Sequence, residues 1–273
     1  APPRPGLGAR VADRVEAVGT TAVDAVRGLI ELWGVFVSTI AGMIRGGRPK
    51  GEIVRQMHAI GNKSMLFIAV TLGFIGMVMI YQACMQFNRV TGDLSQVGVQ
   101  FIRLVTSDFA PTLTGMMLAT RVGAGIAAEI GSMKVTEQVD ALRMSGVLPV
   151  DYLIVPRFIA SVVMTVVLTT LGGAIMYVAG GLTAHYQFGV NLKIFFDLSL
   201  LNPAHLSLGL VKAVTYGAAI PVVSGFCGLR AKGSSEGVGW ATTAAVIGSS
   251  LAVLLLDFIL SVAGFFVLGE ALR

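Results

Sequence analysis

Long apolar runs separated by short polar stretches set the pattern of this chain. Five of them, at about 64–84, 97–130, 154–186, 206–229 and 240–268, reach the roughly 20 helical residues that cross a ~30 Å hydrocarbon core. The second is longer than a crossing needs. Pro111 lies inside it with Asp108 three positions earlier, so it either breaks there or continues beyond the membrane. Pro221 predicts a kink in the fourth run, and Asn202-Pro203 a turn before it. Ahead of these runs, Leu7, Val11, Val15, Val18, Ala22, Val26 and Leu29 recur in steps of three and four. Arg10, Asp13, Arg14, Asp24 and Arg27 occupy the other faces, which predicts an amphipathic helix lying on the membrane surface. Residues 29–44 are more apolar but short, and they contain Glu31. They read as interfacial, with Trp33 at headgroup depth; a tilted crossing is the second reading. Residues 1–6 are expected to be disordered. The fold class is therefore all-α: a polytopic membrane protein with five transmembrane helices preceded by an N-terminal amphipathic interfacial helix.

The most polar stretch between two spans runs from Thr120 to Arg157. Ala119, Gly123, Ala127 and Gly131 place a small residue at every fourth position, a groove where another helix can approach closely. From Gly131 to Gly146 the pattern is amphipathic. Val135, Val139 and Leu142 fall on one side, and Lys134, Glu137, Asp140 and Arg143 on the other. Gly146 and Pro149 end that helix and Pro156 opens the next span. A short polar helix, about 132–145, thus joins spans two and three. It either seals the bundle or docks on another subunit through Glu137 and Asp140.

Composition agrees. Of 273 residues 55% are hydrophobic and 13% charged, against roughly 25% charged in soluble domains; the mean hydropathy is +0.80. The net charge of +5 is read as basic loops and not as nucleic-acid binding. Basic residues precede span one, flank the central helix and separate spans four and five. Those loops are predicted to be cytoplasmic, with a cytoplasmic N-terminus and a C-terminus on the far side. Cys84 and Cys227 both sit in apolar runs and are expected to be free thiols. No cleavable signal peptide is visible.

Chemistry is sparse. No GxxxxGK[ST] motif occurs, His58, His185 and His205 are scattered, and no nucleophile stands beside a base. No catalytic or metal-binding residue is assigned, so any hydrolytic domain belongs to another chain. Asp108, Lys212 and Asp257 lie within apolar runs, where a charge costs roughly 2.5–3.5 kcal/mol on insertion scales. They form either a polar site on a transport path or a buried pair that fixes packing, and both readings stay open. Phe74, Met77, Met79, Tyr81 and Met85 make an apolar wall on span one, suited to ordinary packing or to a pliable acyl-chain pocket.

The Thr120–Arg157 stretch resembles the signature of the MlaE family, permease subunits of bacterial lipid-trafficking ABC transporters that work with MCE proteins. The matching residues are Arg121-Val122-Gly123-Ala124-Gly125, Ala128-Glu129-Ile130-Gly131-Ser132-Met133, Thr136-Glu137-Gln138-Val139-Asp140-Ala141-Leu142, Pro149 and Pro156-Arg157. The likeness continues at Gly73-Phe74-Ile75-Gly76-Met77-Val78, at Ala241-Thr242-Thr243 and from Ser249-Ser250 to Leu256-Asp257-Phe258, covering about residues 50–270. Many members carry Arg-Glu-Leu-Gly-Pro in the second span; here the run is Ser107-Asp108-Phe109-Ala110-Pro111, with the acid kept and the arginine gone.

The resemblance implies a permease domain at 45–273 that forms a homodimer and moves phospholipid between inner and outer membranes, maintaining outer-membrane lipid asymmetry. It implies a cytoplasmic ABC ATPase that holds the ATP and Mg, with no cofactor on this chain. It further implies a hexameric periplasmic MCE-domain protein and a STAS-domain protein as additional partners. Glu129, Met133, Thr136, Glu137, Gln138, Asp140 and Arg143 would form the coupling surface. Phe74, Met77, Val78, Tyr81 and Met85 would line the lipid pocket. Two other readings are an importer of sterol or fatty acid within the same family and, from a different class, an ion-coupled carrier using Asp108, Lys212 and Asp257. The chain shows no inverted repeats, which argues against the carrier. A third is a scaffold that transports nothing.

Overall fold

The computed structural model describes residues 7–45, 51–90, 92–197 and 203–267, with side chains in the first helix at Val23 and from Val26 onward. The expected disorder of residues 1–6, the basic positions Arg48 and Lys50 and the turn residue Asn202 lie outside that set. Every regular element among the described residues is helical.

Helix α1 covers Leu7–Arg45 and α2 covers Glu52–Val90. An unbroken rod then runs from Val97 to Val135: α3 (Val97–Leu104), the π turn π1 (Val105–Phe109), α4 (Ala110–Leu118), π2 (Ala119–Gly123) and α5 (Ala124–Val135). The short α6 (Gln138–Met144), π3 (Val150–Ile154) and α7 (Val155–Phe188) follow, then α8 (Leu192–Phe195), α9 (Pro203–Leu229) and α10 (Ser235–Val267).

Among the described residues five long helical segments meet the length and hydropathy of a membrane crossing: Val26–Arg45, Glu52–Val90, Val150–Phe188, Pro203–Leu229 and Ser235–Val267. Four of them correspond to the predicted spans at 64–84, 154–186, 206–229 and 240–268. Helix α1 is continuous through residue 29, and its second half has the length and composition of the tilted crossing, the second of the two readings. The predicted 97–130 span is the rod itself, continuous throughout, with π1 and π2 cutting its regular α hydrogen-bond pattern into stretches of 8, 9 and 12 residues. Pro111 supplies the reason for the first cut. It has no N–H to give, and the turn before it widens so that the Ala110 N–H reaches Val105 O, five residues back. The helix absorbs the proline without breaking. Pro221 likewise stays inside α9.

Lipid tails are as apolar as leucine, so helices in a bilayer associate through close packing more than through hydrophobic drive. The chain meets that need with small residues at crossing points. Gly76 on α2 lies against the backbone carbonyl of Met176 on α7, and Gly209 on α9 against the carbonyl of Thr106 in π1. The predicted groove of Ala119, Gly123, Ala127 and Gly131 is buried along its length. Gly123 faces Ser224 on α9 and Ser249 on α10, whose hydroxyls share a 3.1 Å hydrogen bond. Gly131 faces Ala231 and Val238. The rod is thus clasped by α9 and α10. Cys84 is buried and Cys227 half-buried, and both thiols are free.

Ion pairs gather where α6 lies. Arg45 at the end of α1 stands 3.5 Å from Asp151 in π3, Arg157 on α7 2.9 Å from Glu129 on α5, and Arg230 after α9 3.9 Å from Glu31 on α1. At the opposite end Tyr177, Phe195, Phe196 and Phe101 stack together, and the Tyr177 hydroxyl donates to the Phe195 carbonyl.

A β-carbon at Gly76 would drive into the Met176 carbonyl, which cannot give way without moving α7. Gly76→Val is expected to lower unfolding stability in detergent by about 1–3 kcal/mol. Gly34→Ala, with nothing within 4 Å, is expected to leave it unchanged. Equal melting shifts for the two would show that the α2–α7 crossing tolerates separation.

Candidate functional site

Two polar constellations stand out, one displayed at the end of the bundle and one inside it. The displayed one is α6 and its approach. The sequence pattern expected one helix over about 132–145, but α5 stops at Val135 and α6 starts at Gln138. Between them Glu137 adopts φ +61°, the sole left-handed non-glycine among the described residues. Such a conformation costs on the order of 1–2 kcal/mol for an L-residue. Local hydrogen bonds hold it, because its carbonyl accepts the N–H groups of Asp140 at 3.1 Å and Ala141 at 2.9 Å. The Thr136 hydroxyl donates to Ser132 O at 2.8 Å and closes the preceding turn.

The two faces of α6 fall where periodicity puts them. Val139 is fully buried, Leu142 and Met133 pack half-buried against the core, and Glu137, Gln138 and Arg143 are exposed. Lys134 grips Asp140 at 2.8 Å, with Arg143 at 3.6 Å on the other side. The hydrogen bond from Lys134 holds the Asp140 carboxyl below its ordinary range. Glu129 is half exposed, yet its partner Arg157 is only 5% exposed and also donates to Leu153 O. That pair ties Glu129 on α5 to α7. Gly146, at φ +78°, ends α6 with the N–H groups of Gly146 and Val147 bonded to Arg143 O and Leu142 O. On either side of it Met144, the last residue of α6, is 84% exposed and Leu148 55% exposed. These apolar residues beside the acidic face were not singled out in the sequence, because neither falls on the apolar stripe of Val135, Val139 and Leu142.

The interior constellation brings together Asp108, Lys212 and Asp257. Lys212 has no exposed side-chain surface, and its ammonium meets Asp108 Oδ1 at 2.5 Å, Asp257 Oδ1 at 3.0 Å and Ser261 Oγ at 2.9 Å. Asp257 also accepts from the Tyr216 hydroxyl at 2.6 Å and from Thr112 at 2.9 Å. Three elements, π1, α9 and α10, are pinned at one point. Beside it a cavity of about 310 Å³ is lined by Arg103, Ser107, Asp108, His205 and Ser261, with Gln100, Leu104, Leu208 and Phe265. His205 Nδ1 shares a 2.8 Å hydrogen bond with Ser107, whereas His205 Nε2 and Arg103 Nε are buried without a partner among the described residues. Sequence reasoning missed Arg103 and His205. An arginine one turn before Ser107 is the signal that could have found them.

The predicted lipid-pocket residues do not share one environment. Phe74, Val78 and Tyr81 form an exposed stripe on α2, while Met77 and Met85 are half-buried. Tyr81 pairs with Phe188 at 5.4 Å between ring centres. A second, apolar cavity of about 240 Å³ lies between the rod, α7 and α9 and includes Thr169, Gly173 and Tyr177. Among the described residues no group of three acidic, histidine or cysteine side chains could hold a metal.

A helical bundle with a charge cluster locked inside it and a polar helix displayed at one end is the organisation of a multi-pass membrane permease. The family model described as Permease MlaE matches residues 53–263, and the chain belongs to that family of ABC transporter permeases. It is 34% identical over 226 residues to a probable ABC transporter permease protein of Rickettsia felis, covering 82% of this chain and 87% of the relative. It is 33% identical over 254 residues to the intermembrane phospholipid transport system permease protein MlaE of Haemophilus influenzae, covering 90% and 95%. It is 32% identical over 250 residues to the chloroplastic protein TRIGALACTOSYLDIACYLGLYCEROL 1 of Arabidopsis thaliana, covering 89% and 71%. None of these names is that of an ion-coupled carrier, and a permease family is not an enzyme family.

Lys212→Met would strand two carboxylates in the bundle. It is expected to lower unfolding stability by about 3 kcal/mol, the scale for breaking a buried pair. Adding Asp108→Asn and Asp257→Asn should recover most of the loss. If the triple variant melts no higher than the single one, the lysine is held for another reason. A second prediction concerns pH. A carboxyl depressed in the folded state contributes stability above its unfolded value of about 3.9 and loses it as pH falls through the folded value. Hydrogen-exchange protection of 138–144 should therefore hold from neutrality to about pH 5 and drop below about pH 4. Asp140→Asn should abolish that acid step.

Proposed function

We propose that this chain is the membrane subunit of an ATP-driven transporter that moves phospholipid between the inner and outer membranes of a bacterium, maintaining outer-membrane lipid asymmetry. The observation that carries the reading is the match to the Haemophilus influenzae phospholipid-transport permease over 90% of this chain and 95% of that one. The chain works as a pair of copies in the inner membrane, with a cytoplasmic N-terminus and a periplasmic C-terminus. The basic residues gathered around α6, Arg45, Lys134, Arg143, Arg157 and Arg230, support that orientation.

A separate cytoplasmic ABC ATPase binds ATP and Mg and docks on α6. Glu137, Gln138, Asp140 and Arg143 offer it charge, and Met144 and Leu148 offer it apolar surface. A push on α6 reaches the bundle by three routes: the buried Val139, the Lys134–Asp140 pair and the Glu129–Arg157 pair. On the periplasmic side a hexameric MCE-domain protein receives the lipid, and a STAS-domain protein binds the ATPase. The exposed α2 stripe of Phe74, Val78 and Tyr81 gives acyl chains an apolar wall, with Met77 and Met85 behind it. The cavity beside Asp108 gives the phosphate a place. There Arg103 Nε and His205 Nε2, both buried without a partner among the described residues, stand in the cavity that Asp108 lines.

The docking step has a direct test. Glu137→Lys with Asp140→Lys should abolish co-purification of the ATPase and leave the permease folded. Retention of the ATPase, with hydrolysis still coupled to lipid movement, would remove α6 from the machine.

A further inference from the structure

A third cavity has no place in that scheme. It has a volume of about 290 Å³, lies at the turn between α9 and α10, and is lined by Arg230, Lys232, Gly237 and Trp240. The turn is tightly built. The N–H groups of Arg230 and Ala231 bond back to Cys227 O and Gly228 O, and Gly233 takes φ +79°. Gly237 lets the first turn of α10 fold onto the Lys232 carbonyl, where any β-carbon would collide.

The charge in this cavity is incompletely answered. Arg230 has Glu31 at 3.9 Å, a long contact between half-exposed groups, and its guanidinium rests 5.2 Å over the Phe226 ring. For Lys232 no carboxylate lies within 4 Å among the described residues. Glu236, in the first turn of α10, is exposed. Among the described residues, Arg230 thus has one distant acid, and Lys232 has none within 4 Å.

The depth of the site is also marked. Trp240, 63% exposed, lines it, and the Arg230–Glu31 contact brings Trp33, 66% exposed, within one helical turn of the same level. Tryptophans exposed on a bundle of membrane-length helices settle at the headgroup layer. From Trp240 an apolar face of α10 continues through Ile247, Leu251 and Leu254, all exposed. A basic pocket therefore opens at headgroup depth above a strip that fits acyl chains.

We propose that this pocket binds the phosphate head group of an anionic phospholipid from the leaflet on the α6 side, its tails lying along Ile247 and Leu251. The site is distinct from the cavity beside Asp108, which lies toward the opposite end of the rod, and it does not depend on what the chain transports. Basic pockets between membrane helices hold anionic head groups in this way.

The test is native mass spectrometry of protein reconstituted in phosphatidylcholine doped with phosphatidylglycerol. The wild type should retain phosphatidylglycerol selectively. Lys232→Gln, which breaks no recorded pair, should reduce that preference about 5-fold, and Lys232→Gln with Arg230→Gln about 30-fold, from roughly one increment of surface attraction per cation. Glu31→Gln, which frees Arg230, should strengthen it. Millimolar inorganic phosphate should fail to displace the lipid; displacement would show a site for free anion and overturn the assignment. Unchanged retention by the double variant would overturn it too, and loss of a co-purifying acidic protein in that variant would mark the turn as a protein-docking surface instead.

Discussion

An ammonium group with no exposed surface has to be answered wherever the chain places it, and Lys212 is answered by carboxylates from two other elements. In a low-dielectric bundle an unanswered charge is worth more than any single apolar contact. The positions of π1, α9 and α10 are therefore tied to one another at that point. Ser261 accepts a third bond from the ammonium, and Tyr216 and Thr112 both donate to the Asp257 oxygen that faces it, so that oxygen is itself oriented. Close packing along Gly123, Ala127 and Gly209 then follows, because helices fixed at one point by charge must still fit along their length.

Much of this was legible in the residues. The apolar runs announced the membrane class, the every-fourth small residues announced the clasp by α9 and α10, and Val139 and Leu142 were read onto the buried side of α6. What periodicity could not announce were departures from regular geometry. The left-handed turn at Glu137 uses an amino acid that rarely adopts it, so no glycine or asparagine marks the spot. The π turns leave the composition of a span unchanged while interrupting its helix. The continuity of α1 past residue 29 was obscured because amphipathic and apolar patterns meet there without a breaker. Asp108, Lys212 and Asp257 were each visible as misplaced charges. Their convergence was not, because it depends on the packing of elements 104 and 45 residues apart in the chain. Arg103 and His205 remained unread for the same reason.

The two polar constellations lie at different heights on one rod. The Lys134–Asp140 pair holds its end to α6 and the Glu129–Arg157 pair holds it to α7, and the Lys212 cluster holds its π1 region to α9 and α10. Force applied at α6 thus enters a body that is already braced further along, and the segment between the braces contains π2 and Arg121, which donates to Ser64 on α2. That geometry favours twisting of the intervening segment over a wholesale shift of the bundle.

The π turns give such twisting somewhere to go. Each holds one residue more than a regular turn, and that surplus can be passed to a neighbouring turn by exchanging one backbone hydrogen bond for the next. A rod with two surplus residues behaves like a screw with backlash. Its middle can rotate, turning Arg121 to face a different neighbour, while both ends keep their grip.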